Sequence, residues 1–412
     1  MLHEPKPVQH IEVSEKHVGL RIVLFLVAVI VGVAGIGWGI YYLTKTETGW
    51  SVVSPTSAAE QYAQEYTLYY YFEGRSVVKN SRYRAVVQAY GNACYEAYRQ
   101  FNVYEGYDDV HNVYYINAHP NEDIEVDAVL YGAFEKVAAS GSRVIYGAPV
   151  QAYFDATCTS DNDWMALEYD PVKNDEVRAF ALKALTYVRD AESVNVRLLG
   201  DNKLRLEVSE AYLAFAKENE IDVLVDFGYL RNAFALDYIA DTMLAEGYGD
   251  AILSSYDGYC RSTAADTAFN VNVISRVDDN YRIAAVGTYS GRQATVSWAS
   301  FGSVGDASLH YEYADGSTTH VYYDLADGKS KCATVNLIGY SKNKGCADVA
   351  LALLPIWVAD DLDADALWAL ADSGIYGLYT DAQNVLYNDA SLKVTASDGF
   401  EATDVTQETQ TE

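Results

Sequence analysis

The feature that most limits what this chain can fold into is a run of 22 residues without a charge, Ile22 to Leu43, "IVLFLVAVIVGVAGIGWGIYYL". Such a run is long enough to cross a bilayer as a helix and too uniformly apolar for the surface of a globular domain. Arg21 and Lys45 bracket it, and Trp38, Tyr41 and Tyr42 stand where an interfacial aromatic belt would lie. A secretory signal is the competing reading, but the run is long for one and no clear small-residue cleavage site follows. Lys6, Lys16 and Arg21 precede the run and the acidic bulk follows it. The positive-inside rule then puts the N-terminus in the cytoplasm and the bulk outside, as a single-pass protein.

The remainder of the 412 residues is rich in apolar side chains and poor in proline, as a packed domain requires. A formal charge of −29 argues against nucleic acid, because phosphate backbones are bound by lysine and arginine stripes. An anionic small molecule would need a local cation or a helix N-terminus. The 36 tyrosines suit half-wet strands; a stacking surface for a flavin or sugar would use the same residue. Five cysteines without a CxxC pair exclude a zinc ribbon and leave at least one thiol unpaired.

The spacing of apolar residues divides the chain into a cytoplasmic N-terminus (1–21), the span (22–43), a polar linker (44–64), one domain (65–396) and a disordered acidic tail (397–412). Within the domain, 67–72 and 112–117 read as strands, whereas 82–101, 126–140 and 172–192 read as helices. "VNVRLL" and "KLRLEV" flank Gly200-Asp201-Asn202 as a hairpin, and Ser209 caps a following helix. "DVLVDFG" reads as a strand entering a helix near Leu230. Residues 268–340 alternate as strands, 345–358 and 363–373 are helical, and "GLYTD" with "NVLYN" forms a last hairpin. Helices and antiparallel strands without a βαβ rhythm indicate α+β.

No P-loop, GxGxxG, HExxH or GxSxG occurs. The histidines beyond the span are His111, His119, His310 and His320, so a histidine-based metal site or triad has few members. His320 stands in "DGSTTHVYYDLADG", either on a strand beside a turn or in a site. Asp226 and Gly228 precede a helix whose first N–H groups could meet an anion, although an Asp there commonly caps. Asp257 lies in "SSYDGYC", where Asp-Gly is also an ordinary turn. Asp348 opens the helix "CADVALALLPIWV", where it suits the helix dipole or could hold Mg²⁺.

Taken in order, these segments resemble the FAD:protein FMN transferase family (ApbE type). "DFGYLRNAFALD" resembles its D-x-G-G-I-A-K-G-Y-A-x-D turn and helix through Asp226, Gly228, Ala235 and Asp237. "LSSYDG" keeps Asp257 of N-A-G-G-D, and "HVYYDLADG" keeps His320 and Gly328 of H-I-x-D-P-x-T-G, with Asp324 near its Asp. "CADVALAL" keeps Ala347 and Asp348 of A-D-A-x-x-T-A, and "YFDATCTSDNDW" keeps Phe154, Asp155, Thr157 and Trp164 of F-D-x-T…W.

The resemblance implies an ApbE-like α+β domain of largely antiparallel sheets with packed helices, behind a single transmembrane helix. It implies Mg²⁺-dependent transfer of FMN from FAD to a Thr or Ser of an exported acceptor protein. Asp348 would hold the metal, with Asp226, Gly228, Tyr229, Asn232, Tyr256, Asp257 and His320 around the flavin nucleotide. The departures are specific: Ala352 stands for the metal-binding Thr, Asn232 for the Lys, Ala233 and Tyr229 for glycines of the turn, and Ser255-Tyr256 for the glycines before Asp257. No lipobox Cys precedes the domain, so the membrane helix would replace the family's lipid anchor. The alternative is a catalytically degenerate relative, kept as a cell-surface flavin-binding or scaffolding protein.

Overall fold

The computed structural model describes residues 18–43, 49–73, 77–277, 280–301 and 309–408. The chain divides into two units, one of Met1–Gly49 and Phe72–Tyr83, the other of Trp50–Tyr71 and Arg84–Glu412. The first contains helix α1 (Val18–Leu43), which covers the whole uncharged run. Side chains of α1 are described only at Val23, Val27 and residues 29–39. The large apolar ones among them are exposed, Ile30, Val31, Val33 and Ile36 at 64–66%. Among the described residues no helix is long and apolar enough to cross a membrane.

The second unit is built on a nine-stranded sheet whose spatial order follows the chain. Its strands are β1 (Gly49–Val53), β2 (Tyr66–Phe72), β3 (Ala251–Ser255), β4 (Tyr259–Ser262), β5 (Gln293–Ala299), β6 (Asn336–Ser341), β7 (Tyr376–Asp381), β8 (Asn384–Tyr387) and β9 (Glu401–Asp404). From β2 to β8 every pairing is antiparallel, and β9 runs parallel to β8. The centre of the sheet is covered on both faces, so β6 is buried at all six positions. On one face lie α5 (Arg231–Ala245), against β3 and β4, and α6 (Cys346–Trp357), against β5 and β6. On the other, a smaller sheet of Ala268–Val277, Asn280–Ser290 and Lys393–Ala396 closes a core of Val273, Ala285, Tyr289, Ile338, Tyr340 and Leu378.

Helices α2 (Val77–Phe101), α3 (Ala128–Ser140) and α4 (Ala148–Cys158) complete the parts that frame the site. The α+β class and the hairpin at Gly200-Asp201-Asn202 are both present: Asp201 and Asn202 take φ +50° and +57°, the left-handed conformation of a tight hairpin. Ser209 caps Glu210–Glu218, accepting from Tyr212 N. All five cysteines are free thiols.

Four expectations change. Residues 112–117 are helical (Val113–Ala118), because Asn112 caps them through Tyr115 N and overrides the strand preference of Val, Tyr and Ile. "DVLVDFG" forms no strand; Leu224 and Val225 instead give their N–H groups to Asn117 Oδ1, at 2.8 and 2.9 Å. The segment 44–64 is not a linker throughout, since β1 starts at Gly49 and joins the sheet. The tail is ordered through β9 and a turn to Glu408, because Glu401–Asp404 completes the backbone hydrogen bonds of β8. Residues 409–412 lie outside the described residues.

Candidate functional site

The turn at Asp226 rests on backbone geometry. Asp226 N donates to Ile145 O (2.8 Å), and Gly228 takes φ +52°, a conformation that disfavours any other residue. A short 3-10 turn, Gly228–Leu230, then feeds α5. The N-cap positions Phe227 and Leu230 have no side-chain cap, but the Asp226 carboxylate accepts from the backbone N–H groups of Phe227 and Gly228, as its position before the helix suggested. Burial raises its carboxyl pKa, with Arg231 opposing. Asp155, matched to the same family, lies in the same field: burial pushes it up to about 6, Gln151 donating at 2.7 Å opposes, and Asp226 adds to the rise.

Two of the expected residues meet directly. Asn232 Nδ2 donates to Asp257 Oδ2 (3.0 Å), and Tyr66 Oη donates to Asn232 Oδ1 (3.0 Å). Asn232 and Asp257 are buried, and Asp257 Oδ1 has no partner among the described atoms. Burial pushes Asp257 up to about 7, which the Ser255 and Asn232 hydrogen bonds partly oppose. A lysine here would have formed a buried ion pair with Asp257. Asn232 makes a neutral contact instead.

Asp237 joins α5 to α6. Its carboxylate accepts from Cys346 N (2.8 Å) and Ala347 N (3.0 Å), and Arg261 Nε lies 3.4 Å from it. Gly345 makes this approach possible, because a Cβ there would sit 2.1 Å from Asp237 Oδ2. The N-terminus of α6, with Asp348 in its first turn, is therefore fixed to the same helix that carries Asn232.

Asp348 accepts from Gly345 N (3.3 Å) in a capping box and from Lys136 Nζ of α3 at 2.5 Å. Nothing in the sequence flagged Lys136, whose partner lies 212 positions away. A divalent cation on Asp348 would have to displace this ammonium. Ala352, one turn further along α6, offers a methyl where an oxygen would be needed. Among the described residues no three acidic, histidine or cysteine side chains cluster to hold a metal. The residues present do not fit Mg²⁺.

His320 is buried at the end of the short strand Thr318–His320, paired to His310–Glu312. Its Nδ1 lies 2.7 Å from Ser330 Oγ and 3.1 Å from Tyr322 O, and its Nε2 lies 3.1 Å from Cys332 Sγ. Burial drives the imidazole down to about 4 and the Cys332 thiol up, so both stay neutral at pH 7. The contact is a neutral thiol–imidazole pair, not an activated nucleophile.

Tyr229, buried, walls a cavity of about 450 Å³ together with Ser142, Tyr323, Lys331, Leu351 and Leu354. Its ring meets Tyr322 edge-on at 5.2 Å, its carbonyl accepts from Tyr259 Oη, and its own hydroxyl has no partner among the described atoms. Ser140 and Leu351, also in the wall, lie one helical turn beyond Lys136 and Asp348. Lys136 and Asp348 themselves are not in the wall. Tyr256, by contrast, is 41% exposed and lines none of the cavities described, because the turn to Gly258 points it outward. A second cavity, bounded by Tyr66, Tyr98, Tyr104 and Arg231, measures about 160 Å³. That is below the roughly 300 Å³ at which nucleotide-sized ligands are normally held, and the larger cavity is above it.

No protein-family model matches the sequence, and no curated protein does. Among solved structures, the ApbE protein from Thermotoga maritima matches with a TM-score of 0.53 at 13% identity, over 85% of this chain and 97% of that one. The flavin transferase ApbE from Vibrio cholerae gives a TM-score of 0.49 at 14% identity, over 81% and 94%. The first of these establishes that the chain has the ApbE fold.

Proposed function

We propose that this chain is a membrane-anchored relative of FAD:protein FMN transferases that binds a flavin dinucleotide in the cavity walled by Tyr229. One observation carries the reading. The turn and the helix that match the family's motifs, far apart in sequence, both line the 450 Å³ cavity in an ApbE fold, the turn through Tyr229 and the helix through Leu351 and Leu354. An aromatic wall of Tyr229 and Tyr323 beside aliphatic Leu351 and Leu354 suits a planar heterocycle, and Ser142 offers a polar contact.

The geometry favours binding over turnover, the degenerate alternative raised by the sequence. Asn232 is committed to Asp257 and Tyr66, His320 is buried and neutral, and Asp348 is engaged by Lys136. Each of those positions would have to change partners to serve a transfer step. The uncharged run and its flanking charges support anchoring, with the domain outside the cytoplasmic membrane as the orientation they favour.

The test is calorimetric titration of the purified chain with FAD, followed by chromatography of the mixture with a Thr-containing acceptor protein. Saturable binding without AMP is expected. AMP release would replace the binding role with transfer to an exported acceptor, and absence of binding at high micromolar protein would remove the flavin reading altogether.

A further inference from the structure

We infer that Lys136 is the chain's own cation at the position where a divalent metal would sit, so that an anionic ligand at the Tyr229 cavity is met by an ammonium and Asp348 takes up no metal. The inference rests in part on the flavin reading above, for its ligand, but its metal half stands alone.

Two lysines belong to the elements that line the cavity, Lys331 in the wall and Lys136 one turn before Ser140 on α3, and their surroundings differ. Lys331 is in the wall itself, only 10% exposed, and three carboxylates hold it: Asp324 at 3.1 Å, Asp327 at 2.9 Å and Asp360 at 3.0 Å. That cluster is net negative and has no positive charge left for a ligand. Lys136 pairs directly with one carboxylate among the described residues, Asp348, lies in the field of Asp237, and has a side chain 39% exposed. An incoming phosphate could therefore share its remaining N–H donors without breaking the ion pair.

Placement supports the same role. Ser140 follows Lys136 by one turn on α3 and Leu351 follows Asp348 by three residues on α6, and both face the cavity. Asp237 and Gly345 fix the α6 N-terminus, so Asp348 is held where Lys136 can reach it. The capping contact from Gly345 N uses the same carboxylate oxygen, Oδ2, as Lys136. As a bare surface ion pair this contact would contribute little to stability. Its position, not its strength, is what gives it a function.

The test uses Mn²⁺ alone, followed by the electron paramagnetic resonance of the free ion, and then FAD. The unaltered chain should show no Mn²⁺ site that depends on Asp348. Lys136→Met should create one, Lys136→Arg should not, and Lys136→Met with Asp348→Asn should lose it again. FAD affinity of the unaltered chain should change by less than about twofold between EDTA and excess Mg²⁺, and should fall by about tenfold in Lys136→Met assayed in EDTA. A stoichiometric Mn²⁺ site in the unaltered chain, abolished by Asp348→Asn, would overturn the inference and leave the flavin reading standing. Lys136→Met with neither a new metal site nor weaker FAD binding would reduce the pair to a surface contact. If FAD binds none of the proteins, the flavin reading fails, and the Mn²⁺ series alone decides whether Lys136 holds the cation position.

Discussion

The contact between Asp237 and the N-terminus of α6 makes a quantitative prediction, because removing either side disturbs the same small space. Asp237→Ala leaves two N–H groups, those of Cys346 and Ala347, without the carboxylate 2.8 and 3.0 Å away. Hydrogen bonds to a charged acceptor contribute about 1.5–3 kcal/mol each. The buried carboxylate itself carries a desolvation cost that its removal recovers, so a net loss of about 3 kcal/mol is expected. Gly345→Ala, at φ −82°, meets no backbone obstacle, yet its Cβ would sit 2.1 Å from Asp237 Oδ2 and 2.6 Å from Cγ. Forcing those atoms apart should cost about 1–3 kcal/mol. In the Asp237→Ala background the obstruction is gone, so Gly345→Ala should there be nearly neutral, a coupling of at least about 1 kcal/mol. Urea unfolding monitored by tryptophan fluorescence is suited to the measurement, since buried Trp357 lies in α6 and Trp298 is 6.0 Å from it. Two substitutions whose effects simply add would refute the proposed contact, as would a Gly345→Ala cost below about 0.5 kcal/mol.

Three other outcomes follow from single residues. Asp257, raised to about 7 in the folded chain, stabilises below its unfolded value of about 4, and that contribution is lost as pH rises through 7; Asp257→Asn should flatten melting temperature between these limits. His320, held near 4, has the opposite sign: its contribution is present above about 6.5 and lost as pH falls towards 4, so His320→Gln should blunt acid destabilisation. Asn112 donates to Arg99 O and Glu105 O and accepts from Tyr115 N while fully buried, so Asn112→Ala should cost about 3 kcal/mol by chemical unfolding.

Much of the architecture was legible in the sequence, because period and caps are local signals. Alternation over Tyr66–Phe72, the Asp201–Asn202 turn and the Ser209 cap all name their own structure. Residues 112–117 and 222–228 were misread because backbone groups there are satisfied by Asn112 and Asn117, and such hydrogen bonds have no period. Within the site, Asn232 and Asp257 were expected together and do meet. Lys136 was invisible, since a lysine on an amphipathic helix looks like any solvated charge until α6 is packed against α3. The exposure of Tyr256 was equally invisible, since its place in a motif says nothing about which way a turn points it.

The central claim is that the Tyr229 cavity holds a flavin dinucleotide. Ala359 lies in the wall of that cavity and is partly exposed, so Ala359→Trp can fill the space without disturbing the core. Titration of flavin fluorescence against the unaltered chain and this variant decides the point. Saturable quenching of FAD by the unaltered chain is expected, with affinity at least about tenfold weaker in Ala359→Trp and an unchanged unfolding curve. Equal affinity in the two proteins, or no binding to either, would contradict it.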